Sequence, residues 1–217
     1  MKGPRLAAKA SVLGRLQLGI EALYRVETQL PIDQFVIDEP SRDALHPARA
    51  PREQLLVRQA DDAVELALYV DRSAIDNLER HDPATGLGDH NFGDFCLAVE
   101  GVSHFIYMSL AAASGRPISQ LELELQAEVD KFACCALLLS QHAELRARLY
   151  GDVRYASDLD DEEASRYRTA NAEARRYAGA LERLFPGTPD TTGLLAELRD
   201  FYRMTLTHKL GHIARLS

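Results

Sequence analysis

Residues 95–113, FCLAVEGVSHFIYMSLAAA, are apolar or small at almost every position, so a helix formed there has little surface suited to water and belongs in a core. Four side chains break the pattern: Glu100, Ser103, His104 and Tyr107. They fall at i, i+3, i+4 and i+7, which puts them in one stripe along a single helix face. An unpaired buried carboxylate costs several kcal/mol even after relaxation. The stripe must therefore meet solvent, a second polar stripe or a ligand, and the apolar remainder of the helix predicts that it is turned inward.

The rest of the chain narrows what such a helix serves. A length of 217 residues suits one domain with a real core, and 46% hydrophobic with 27% charged residues is the balance of an ordinary soluble globular protein. The net charge of −8 argues against nucleic acid as a partner, because nonspecific binding is driven by Lys and Arg displacing counterions. No uninterrupted apolar run approaches the roughly 18 residues of a membrane span, so no membrane partner is expected. Cys96, Cys134 and Cys135 lie in apolar surroundings without a disulfide framework, which suits reduced thiols in a cytoplasmic protein. The start of the chain reads as the opening helix of the domain, a basic presequence being the minor alternative.

Periodicity predicts a mainly α (α+β) fold: an irregular bundle of five to six helices with one inserted β-hairpin, in a single domain over 1–217. A first helix covers 6–28. Residues 31–53 hold Pro31, Pro40, Pro47 and Pro51 and read as a surface connection with one short strand at 35–37. Two runs rich in β-formers predict a hairpin at about 55–70, turning at QADDA. A short helix at 73–80 precedes the loop HDPATGLGDHNFGD, after which Asn91 is placed to cap the helix of the polar stripe. That helix stops near Gly115, the next runs from 119 to 149, another opens in DLDDEE and ends at Pro186, and the tail from 191 to 216 forms one helix or two. A lone hairpin is marginal, so it must lie against the helices or pair with a second copy, which makes a homodimer an option.

The helix after Gly115 carries two further stripes in LELELQAEVDKFACC: Glu122, Gln126 and Asp130 on one side, and Glu124, Glu128 and Lys131 on another. One can be solvated. The other would meet the Glu100/His104 stripe across a helical hairpin, because short connections make antiparallel neighbours. The tail adds His208 and His212 at i, i+4, a spacing that points two ligands the same way. Glu100, His104, Glu128, His208 and His212 would supply the carboxylate and imidazole donors that suit Zn, Fe or Mn, with Glu124 as a general base. Ser103, Tyr107 and Lys131 would line a small-molecule pocket. The spacing departs from di-iron bundles, which use Glu-x-x-His, and from zincins, which need Glu where this chain has Lys209.

Two functions follow. One is an intracellular, noncatalytic binding or regulatory protein, with a small molecule or protein partner, in which the stripe is a structural network or lines a ligand pocket. The other is a metal-dependent enzyme with a Glu/His site between helices. Ser103 beside His104 does not make a catalytic triad, since adjacent helical residues diverge. Arg166, Arg168, Arg175 and Arg176 are diluted by acidic neighbours and read as a solvated face.

Overall fold

The computed structural model describes residues 10–45, 51–60, 63–139, 144–151, 153, 159–186 and 191–216. In chain order these form α1 (Val12–Tyr24), a 3₁₀ turn (Ile32–Gln34), α2 (Glu39–Leu45), β1 (Glu53–Ala60), β2 (Ala63–Val70), α3 (Arg72–Arg80), α4 (Phe92–Ala113), α5 (Gln120–Leu138), α6 (Leu145–Tyr150), α7 (Asp161–Leu184), α8 (Thr191–Tyr202) and α9 (Leu206–Leu216). The molecule is mainly helical with one antiparallel hairpin, as the patterning predicts, but it has nine helices among the described residues rather than five to six. Most of the surplus has a local cause. Pro40 sits in the first turn of α2, where a missing N–H costs nothing, so the proline-rich stretch hides a short helix. The single helix expected over 119–149 ends at Leu138, and α6 resumes at Leu145 after the residues outside the description.

Caps fix the ends of the central pair. Gly115, at φ 62°, follows α4, and the N–H groups of Gly115 and Arg116 return to the carbonyls of Ala112 and Ala111 at 3.1 and 2.9 Å. This left-handed close satisfies the last turn and lets the chain reverse. Ser119 then opens α5 by accepting from the Glu122 amide at 3.2 Å. Asp160 and Glu163 form a reciprocal capping box at the start of α7. Asn91 does not cap α4 with its side chain. Its amide instead knots the preceding loop, accepting from the Gly88 N–H at 2.9 Å and donating to the carbonyls of Gly86 and His81 at 2.9 and 3.0 Å.

Helix α4 is the spine. Phe95, Val99, Val102, Phe105 and Ile106 bury against Leu13 and Ile20 of α1 and Leu125, Val129 and Phe132 of α5, and the core continues through Tyr177 and Phe201. Although Glu100 and His104 interrupt its apolar run, α4 is by length and composition apolar enough to cross a membrane; most of it is buried inside the fold, as a core helix is. The three cysteines are unpaired.

The hairpin lies on α4, in register from Glu53 opposite Val70 to Ala60 opposite Ala63. On its other side β2 accepts the predicted short strand as a parallel bridge, Val36 to Leu68. The middle of the hairpin turn lies outside the described residues. Gly101 permits the close approach: a Cβ there would stand 3.0 Å from Glu53 Cγ, 3.1 Å from Glu53 Oε1 and 3.2 Å from Leu68 Cδ1. Gly101→Ala is therefore expected to destabilise by about 1–2 kcal/mol in urea melts, despite the better helix propensity of alanine. Gly93→Ala, where an added methyl meets nothing within 4 Å, should be neutral or stabilising in the same experiment.

Candidate metal centre

The short turn at Gly115 packs α4 and α5 side by side, and both polar stripes of α5 are turned against α4. The stripe on α4 divides between them. Glu100 and His104 face Glu124, Glu128 and Lys131; Ser103 and Tyr107 face Asp130 and Glu122. The expectation that one α5 stripe would be solvated fails, because Glu122, Gln126 and Asp130 are all buried.

In the first half, one ligand atom each from Glu100, His104 and Glu124 lie within 4.8 Å of one another. His104 is 5% exposed, with Nε2 at an ion-pair distance of 3.5 Å from Glu124 Oε2 but without a hydrogen bond among the described residues. Its other nitrogen, Nδ1, is 3.4 Å from Oε1 of Glu53, the first residue of β1. Lys131 closes the far end, donating to Glu100 Oε2 at 3.0 Å and to Glu128 Oε1 at 2.7 Å. Tyr150 of α6 fixes the backbone below by donating to the Glu128 carbonyl at 2.8 Å. Among the described residues, four carboxylates here are in direct contact with two groups able to carry positive charge, Lys131 and His104.

The electrostatics follow from that excess. Burial alone would push the His104 imidazolium down, but the carboxylates of Glu124 and Glu53 hold it well above the ordinary histidine range. Burial works against the Lys131 ammonium in the same way, and Glu100 and Glu128 more than reverse it. Glu53 is raised, chiefly by burial, against the pull of His104. Burial opposes the charge of Glu100 as well, and Lys131 with His104 brings it below the usual carboxylate value. Tyr167 of α7 borders the group, its phenol raised by burial and by the charges of Glu124, Glu100 and Glu53.

A carboxylate beside one imidazole nitrogen, with the other nitrogen at ion-pair distance from Glu124 and the ring grouped with Glu100, is the arrangement by which proteins orient a metal-binding histidine. Metal–ligand bonds of about 2.0–2.2 Å put neighbouring ligands about 3–3.5 Å apart. The His104 to Glu124 separation already fits, and Glu100 needs a small side-chain adjustment.

The second half is a closed network. Asp130 accepts from Tyr24 Oη at 2.5 Å, Ser103 Oγ at 2.5 Å and Gln126 Nε2 at 2.7 Å. Lys209, fully buried on α9, donates to Tyr107 Oη at 2.8 Å and to Gln126 Oε1 at 2.7 Å. Tyr107 and Arg116 both donate to Glu122 Oε1 at 2.7 Å. Burial pushes Asp130 up to about 6 and holds Lys209 down to about 7. Ser103 and Tyr107 thus bond to protein groups in this network, not to the Glu100/His104 group, and Lys131 is engaged by two glutamates.

The tail histidines stand elsewhere. His212 Nε2 lies 2.6 Å from Glu197, and the exposed His208 is 3.1 Å from Thr205 Oγ1, because the face of α9 turned inward is that of Lys209 and Ile213. Glu124, assigned as a base, stands where a ligand would; Glu128, assigned as a ligand, is held by Lys131. An apolar cleft of about 300 Å³ opens between α1, α4 and α5, lined by Leu16, Ile20, Leu23, Phe95, Cys134 and Leu138, and no residue of the α4 polar stripe lines it. Sequence reading missed Glu53, which lies two positions before the hairpin start predicted at Leu55 and is the first residue of β1. It also missed the burial of Lys209, signalled by its place between Leu206, Leu210 and Ile213.

No family model matches the chain, and neither a curated protein nor a solved structure matches it at a significant level.

Proposed function

We propose that this protein binds a divalent metal ion on Glu100, His104 and Glu124, with Glu53 orienting the imidazole, and acts as a metal-dependent enzyme. The observation that carries the reading is a buried His104 that offers one ring nitrogen within 4.8 Å of carboxylate oxygens of Glu100 and Glu124, its Nε2 being 3.5 Å from Glu124 and without a hydrogen bond among the described residues. Two oxygen donors and one imidazole suit Mn, Fe or Zn. Three protein ligands leave coordination positions for water or substrate, which is how catalytic ions are held, whereas structural ones are fully enclosed by protein. Three unpaired cysteines and the burial of α4 support a soluble, cytoplasmic setting for this activity.

A noncatalytic reading is favoured by one specific observation: protonated His104 can itself bridge Glu53 and Glu124 as a cation. Metal analysis separates the two. After reconstitution with Mn, Fe or Zn and desalting, the full chain should retain one ion, and His104→Ala should retain none while keeping its helical circular dichroism. Wild-type protein that stays metal-free after reconstitution would leave the group as a salt-bridge network.

A further inference from the structure

We infer that Lys131 occupies the position of a second divalent ion, so that its ammonium is what limits the centre to one. The inference rests on the metal reading above. Glu100 is shared between the two halves of the cluster: it belongs to the group with His104 and Glu124, and its Oε2 accepts from Lys131 at 3.0 Å. On the other side Lys131 Nζ is 2.7 Å from Glu128 Oε1. The ammonium is therefore clamped between one carboxylate from α4 and one from α5. That is where a second ion would stand in a two-ion site, whose members lie about 3.5–4 Å apart and share bridging carboxylates.

The surroundings require a cation there. Glu100 and Glu128 are largely buried, with side-chain exposures of 25% and 16%. Removing one partner from a buried ion pair leaves an uncompensated charge in a poorly solvated place. The backbone beneath Glu128 is held by Tyr150, so the space vacated by a shortened Lys131 is not expected to collapse. Carboxylate oxygens with no ammonium between them are the hard donors that Mn(II) takes.

Equilibrium dialysis of the full chain against Mn(II), with metal analysis and electron paramagnetic resonance, tests this. Wild type and Lys131→Arg, which keeps the charge, should bind one Mn(II) per chain with the spectrum of an isolated ion. Lys131→Ala should bind two, with the spectrum of an exchange-coupled pair. One isolated Mn(II) in folded Lys131→Ala would overturn the inference, as would two in wild type. No Mn(II) in wild type would defeat the metal reading itself. If Lys131→Ala unfolds in chelator, refolding on addition of Mn(II) with two ions bound supports the inference, and failure of Mn(II) to restore the fold overturns it.

Discussion

Asp130→Ala is expected to lose about 3–5 kcal/mol of stability, a large share of the roughly 5–15 kcal/mol a domain has. The carboxylate holds Tyr24, Ser103 and Gln126 by hydrogen bonds, and it is one of the negative charges favouring the buried Lys209 ammonium. Deleting it strands three donors and weakens the support for a cation in the core. Asp130→Asn keeps part of the bonding and should lose less. Urea titration would contradict the account if Asp130→Ala cost under about 1 kcal/mol.

The same network has a pH signature. Burial holds Lys209 at about 7, against 10.5 for an ordinary lysine, so above pH 7 the folded protein has released a proton that the unfolded chain keeps. Stability attributable to Lys209 therefore rises with pH. Relative to Lys209→Met, wild type should gain about 1–2 kcal/mol between pH 7 and 8.5. Taking the difference between the two proteins cancels the opposite trend from His104, whose raised value makes its contribution fall as pH rises.

The second large effect concerns metal affinity. His104→Ala and Glu124→Gln each remove a donor from the group within 4.8 Å, so Mn(II) or Zn(II) binding measured by calorimetry should fall by more than 100-fold. Glu53→Gln, which disturbs only the group holding His104 Nδ1, should cost about 10–100-fold. His208→Ala and His212→Ala should leave affinity unchanged, because Thr205 and Glu197 are their neighbours. A comparable loss from either tail histidine would contradict the assigned ligand set.

How much of this was legible in the sequence depended on distance along the chain. Helical spacing and a short turn were enough to predict that Glu100 and His104 would meet a polar stripe of α5, since antiparallel neighbours follow from the connection. They did not fix the rotation of α5 about its axis, which decides that Glu124 stands with His104, whereas the pairing of Glu128 with Lys131 is an i,i+3 contact within α5 that helical spacing alone provides. Glu53 lies 51 positions from His104, and no local rule links a strand's first residue to a helix packed against it. For α9, i, i+4 spacing made His208 and His212 look like a pair, yet Lys209 is the buried cation. The partners that answer it, Tyr107 and Gln126, lie on other helices and are invisible to a helical wheel.

Anomalous diffraction from crystals of the full chain grown with Mn(II) or Zn(II) tests the central claim most directly. The account predicts a peak about 2.0–2.3 Å from His104 Nε2 and from carboxylate oxygens of Glu100 and Glu124. A peak confined to the tail histidines, or none beside His104 at saturating metal, would contradict it.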